Sequence, residues 1–176
     1  MKRGRIAGAC AAVLLCCAAG AAAAPPDSFR GIALGMELQS VKDRLMEDPF
    51  FDYRGDPDVS LLPQTLEALI ECRGFSYIRR AYFQFHEKRL YIMILVLDES
   101  KLDHYSLFTT LTDKYGAFGS LSPQKVVWES EDTVFSLERP LTVKYVDRQV
   151  FESLKDESRA QQDLREVARR RFLEEF

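Results

Sequence analysis

The chain has 176 residues, 47% of them hydrophobic, with 24 basic and 27 acidic side chains and a formal net charge of −3. That balance offers no basic face, which argues against nucleic acid or an anionic membrane surface as partner. Nor is the composition that of a disordered or low-complexity chain.

The first 23 residues read as an export signal. Lys2, Arg3 and Arg5 precede an apolar run, Ile6 to Leu15, that trails into the alanine tract Ala21 to Ala24. A charged start, a short apolar stretch and small residues before a polar turn form a secretory signal peptide. A spanning helix would need about 20 continuous apolar residues, and Gly8 and Gly20 interrupt this alanine-rich run. Cleavage is expected after Ala22 or Ala23, which directs the protein to the periplasm or the exterior.

Lipidation is the alternative, and contact with a membrane follows only from it. Cys16 and Cys17 lack the small preceding residue it requires, while Cys10 has too little apolar chain before it. Removal of the signal leaves 21 basic against 27 acidic residues and Cys72 as the only thiol. No intrachain disulfide can then form, and Cys72 reads as a small buried hydrophobe. About 150 mature residues suffice to bury a core without such staples.

The mature chain divides into residues 24–147, a single α+β domain, and residues 148–176, a helical extension. Phe29 to Leu34 is strand-like and ends at Gly35. Leu38, Val41 and Leu45 then recur at helical spacing until Pro49. Phe50 to Tyr53 reads as a brief strand and Arg54 to Pro63 as a loop. Residues 64–74 fit either a short helix or a strand, with the second half favouring strand.

Tyr77 to Phe85 and Leu90 to Leu97 form a hairpin around His86–Glu87–Lys88–Arg89. The run Tyr91 to Leu97 is apolar on both alternating faces, as in a central strand covered on both sides. A second helix carries Tyr105, Phe108, Leu111 and Tyr115 on one face and stops at Gly116. A loop, Ala117 to Pro123, leads to strands at Val126–Glu129, Thr133–Glu138 and Leu141–Val146. From Arg148 the chain is helical, with a polar stretch and then a stripe of Leu164, Val167, Ala168 and Phe172.

Runs of strands after each helix indicate an antiparallel sheet of about six strands with helices packed on one face. Both halves follow one plan, a helix and then a meander, so an internal duplication is one reading of the order.

The segment Phe29–x–Gly31–Ile32–x–Leu34–Gly35–Met36, followed by Val41–Lys42 and Leu45, resembles the opening of small exported bacterial proteins. Leu111–Thr112–x–Lys114–Tyr115–Gly116 ahead of Trp128, and the later Val143–Lys144–Tyr145, are similar to the same group. It looks most like uncharacterised periplasmic proteins of spirochaetes. More distantly it resembles the small lipoprotein subunit of the outer-membrane β-barrel assembly machinery. The resemblance spans residues 29–147 and implies a non-catalytic envelope protein; it carries over no functional residue.

No catalytic or metal motif is present. His86 and His104 have no nucleophile context around them, and one mature cysteine with two distant histidines gives no zinc spacing. Asp52, Asp56 and Asp58 cluster around Gly55, where short acceptor side chains serve turns more often than cations. Catalytic residues, metal ligands and cofactors are therefore expected to be none. Partner binding is assigned to Tyr77, Tyr82 and Trp128 on the sheet and to Leu164, Val167 and Phe172 on the tail. Aromatic and apolar side chains of this kind dominate binding surfaces. Two functions stay open: an envelope adaptor or assembly protein binding another protein by a sheet face, sheet edge or C-terminal helix, or a carrier with an apolar pocket between sheet and helices.

Overall fold

Two antiparallel meanders, each preceded by a helix, meet along their last strands. The computed structural model describes residues 24–62 and 67–173, without the side chains of Leu62 and Leu164. The expected signal peptide over 1–23 lies outside the described residues, as do 63 at the end of the expected loop, 64–66 in the ambiguous segment and the last three residues. A small hairpin of β1 (Ser28–Phe29) and β2 (Ile32–Ala33) leads into α1 (Leu38–Glu47). Then come β3 (Phe51–Asp52), β4 (Val59–Leu62), and the first meander, β5 (Glu67–Gly74), β6 (Ile78–His86) and β7 (Arg89–Leu97). The second half runs α2 (His104–Tyr115), β8 (Ser120–Leu121), β9 (Lys125–Glu129), β10 (Thr133–Glu138) and β11 (Thr142–Asp147), before α3 (Arg148–Leu173).

All but the first two strands join one antiparallel sheet of nine, ordered β3-β5-β6-β7-β11-β10-β9-β8, with β4 also on β5. This is the expected α+β architecture. The six long strands are those read from sequence; the others are short edge pieces. Residues 59–62, expected in a loop, form β4 against Ile70 to Glu67, and β8 sits inside the other expected loop. Both are too short to show alternation.

Local chemistry explains the joints. His86 pairs with Arg89, so the β6–β7 turn is two residues, with Glu87 and Lys88 both at positive φ (48° and 64°). That backbone matches the twist of a tight hairpin. The Asp103 side chain accepts from the Ser106 N–H at 2.8 Å to cap α2, and Gly116 ends it at φ 76°. Gly74 is required by close approach: a Cβ there would lie 2.5 Å from Ile78 Cβ.

The core lies on one face of the sheet. Cross-strand registry stacks Ile70, Phe83, Met93, Tyr145, Phe135 and Trp128 across six strands, all buried. Val41 and Leu45 of α1 are buried against it. Leu107, Phe108, Leu111 and Tyr115 of α2 pack there half-buried. At about 25 cal/mol per Å² of apolar area removed from water, each large side chain in that row contributes roughly 2–3 kcal/mol.

Candidate functional site

Among the described residues, the opposite face of the sheet is only partly covered. Registry places Arg73, Arg80, Val96 and Thr142 side by side across β5, β6, β7 and β11. The next row is Glu71, Tyr82, Ile94, Lys144, Ser136 and Val127. Ile92 and Val146, one row further, are buried. Tyr82, Ile94 and Val96 are only half-buried. The expectation that β7 is covered on both faces therefore holds at Ile92 and fails at Ile94 and Val96. Sequence alternation reports two apolar faces without reporting what covers the second. Arg73, Arg79 and Arg80 surround Tyr82 and Val96 on this face, and Arg80 is ion-paired to Glu71.

α3 begins with no loop after β11, and its root is clamped. Asp147 Oδ1 accepts from the Val150 N–H at 3.1 Å. Arg148 reaches Glu129 at 2.6 Å, its backbone N–H donates to the Asp132 carbonyl at 2.9 Å, and Gln149 donates to the Asp132 carboxylate at 2.8 Å. Val150 and Leu154 are half-buried, and a shallow groove separates Phe151, Leu154 and Ser158 from Glu67 and Tyr91 of the sheet. Past Leu154, every described side chain of the helix is exposed. At 1.5 Å per residue the helix is about 39 Å long. Its ion pairs, Asp156–Arg159 at 3.6 Å and Glu166–Arg169 at 3.7 Å, are exposed and contribute tenths of a kcal/mol each.

A second concavity, of about 740 Å3, opens between the first half of α2 and the β8–β9 end of the sheet. Tyr105, Phe108, Leu121 and Val126 form its walls, with His104 and Arg139 beside them. Tyr105 is 75% exposed and Leu121 61% exposed.

The predicted partner-binding residues separate into three groups. Tyr77 stands 49% exposed just before β6, and Tyr82 is half-buried on the open face. Val167 and Phe172 are exposed on α3, while the Leu164 side chain lies outside what is described. Trp128 is a correction. It is 2% exposed in the core, and its indole N–H donates to the Gly116 carbonyl at 3.1 Å. An aromatic on the core face of a strand is consumed by packing before any partner can reach it.

The titratable candidates have structural employment. Asp58 is buried and accepts from the Arg54 backbone N–H at 2.9 Å and from its Nε at 3.0 Å. Burial works to raise its pKa, but the Arg54 hydrogen bonds prevail and hold the carboxyl below the usual range. Burial pushes the Cys72 thiol up to about 12, helped by the charges of Asp58, Asp52 and Glu71. His104 is shifted down, by burial first and then by the charge of Arg139. The His86 Nδ1 and His104 Nε2 atoms are buried without a hydrogen-bond partner. Among the described residues, no group of three His, Cys, Asp or Glu could hold a metal ion. No described helix is long and apolar enough to cross a membrane.

The chain belongs to the TP0088 domain family, whose model matches residues 27–157. That match takes in every strand of the sheet and ends inside α3, so the outer part of the helix lies beyond it. No curated protein and no solved structure matches the chain.

Proposed function

We propose that the protein is a non-catalytic adaptor or assembly factor of the cell envelope, docking another protein through α3 and the adjoining open face of the sheet. One observation carries this reading. A helix of 26 residues is fixed at its root by Asp147, Glu129 and Asp132, and past Leu154 its described side chains are exposed. A polar helix with so little to pack against gains most of its stability from a partner surface. Helix-in-groove docking uses such an element directly.

The export signal read from Lys2 to Ala24 supports an envelope location. The resemblance of residues 29–147 to spirochaete periplasmic proteins, and more distantly to the small lipoprotein subunit of the β-barrel assembly machinery, supports the class of role.

The test is photo-crosslinking in intact cells from a probe placed at Gln161 of the full chain, with and without Val167→Lys and Phe172→Lys. Lysine suits a helix C-terminus electrostatically, so the pair removes apolar contact while sparing the helix. A discrete envelope protein captured by the first chain and lost with the second is expected. Absence of any specific adduct, or an adduct indifferent to the substitutions, overturns the reading.

A further inference from the structure

We infer that the groove between α2 and the β8–β9 end of the sheet is a binding site for a single-chain amphiphilic carboxylate of fatty-acid type, with Arg139 receiving the head and Phe108, Leu121 and Val126 the chain. This site is independent of the docking surface proposed above.

Size and lining come first. The groove offers about 740 Å3, inside the roughly 300–1,000 Å3 typical of small-molecule sites. Two of its apolar walls, Tyr105 and Leu121, stand 75% and 61% exposed. Water contact at such walls is unfavourable, and an alkyl chain laid between them relieves it at about 0.8 kcal/mol per buried CH₂.

The polar groups then select the head. Arg139 follows β10 at the turn into β11 and lines the groove with His104. Among the described residues its guanidinium has no ion-pair partner. Asp103, the acid at this end, is engaged in capping α2 through Ser106 at 2.8 Å. His104 and Arg139 both line the groove, and the charge of Arg139 contributes to the lowered proton affinity of His104. Lys125 lines the groove as well, but an ammonium is a point charge, whereas the unpaired arginine fork beside apolar walls matches a planar carboxylate on an apolar tail through two parallel hydrogen bonds.

A peptide C-terminus carries the same head chemistry but fits less well. An extended peptide needs backbone partners along its length. The walls here are side chains, and β8, the edge strand beside the groove, is two residues long.

Calorimetric titration of the full mature protein with dodecanoate tests the site, with dodecanol as the uncharged control of equal chain length. Saturable binding of dodecanoate is expected, about tenfold or more tighter than dodecanol. Arg139→Gln should remove that preference, and Leu121→Asp should abolish binding of both. Both residues are exposed, so the circular dichroism melt of each variant should match the parent. Overturning results are no saturable binding, equal affinity for acid and alcohol, indifference to Arg139→Gln, or displacement of dodecanoate by an apolar C-terminal tetrapeptide at lower concentration than by dodecanoate itself.

Discussion

Asp147 Oδ1 accepts the Val150 N–H at 3.1 Å, so the last residue of β11 is also the cap of α3. The strand and the helix are thereby one rigid joint, and the direction in which α3 leaves the domain is set by the sheet. Capping side chains of this kind are worth about 1 kcal/mol. Asp147→Ala is expected to lower helix content measured by circular dichroism while the sheet melts near its parent temperature. The loss should concentrate in the first turns of α3, which hydrogen exchange resolves by residue. Equal protection of Val150 to Leu154 in parent and variant would show that Arg148 and Gln149 suffice as the clamp.

The ion pair between buried Asp58 and exposed Arg54 sets part of the acid limit of the fold. Asp58 holds the Arg54 backbone N–H and side chain at once. Its carboxyl is lowered in the folded state because those hydrogen bonds outweigh the burial that would raise it. The unfolded carboxyl titrates near roughly 3.9, so the stabilisation is present above that pH. It is lost as pH falls through the lower folded value. Asp58→Asn should cost about 1–2 kcal/mol at neutral pH, by loss of charge-assisted bonds. Its stability should also fall less steeply than the parent's below that pH. Urea melts at pH 7 and at successively lower pH measure both effects; parallel acid limbs would refute the assignment.

Cys72 lies between Ile70 and Gly74 on β5, facing Ala81 across the pair, at 3% exposure. Burial, with the nearby negative charges of Asp58, Asp52 and Glu71, keeps it a thiol to about pH 12. Thiolate is the reactive form. Alkylation by iodoacetamide at pH 8 should therefore run roughly a hundredfold or more slower in the native protein than in urea. Modification of the native chain at the unfolded rate would place Cys72 at the surface.

Much of this fold was legible where local signals were strong. Gly116 marked the end of α2 because few other residues tolerate its φ of 76°, and alternation over β6 and β7 gave both strands to within two residues. β4 was not legible, since Pro57 and Pro63 flank only four strand residues and read as a loop. The surfaces were harder still. Tyr82 and Trp128 carry the same strand signal, yet one borders an open face and the other is sealed under α2. The difference depends on which face receives the helices, a property of the assembled sheet. The groove is the extreme case, because His104, Leu121 and Arg139 come from three separated segments and no spacing rule connects them.

The indole of Trp128 ties the two halves of the second unit together. Its N–H donates to the Gly116 carbonyl at 3.1 Å, at the end of α2, while its ring packs tilted on Phe135 at 5.6 Å and edge-on to Phe118 at 6.4 Å. Trp128→Phe retains the ring contact in part but leaves the Gly116 carbonyl without that donor and opens space beside Phe118. A lost hydrogen bond to a partly buried carbonyl costs about 1–3 kcal/mol, and the volume change adds to it. The melting temperature should fall, and hydrogen exchange should loosen most in α2 and β9, with β5 and β6 little affected. If exchange rises uniformly instead, Trp128 acts on the whole sheet and α2 is held by Leu107, Phe108 and Leu111 without it.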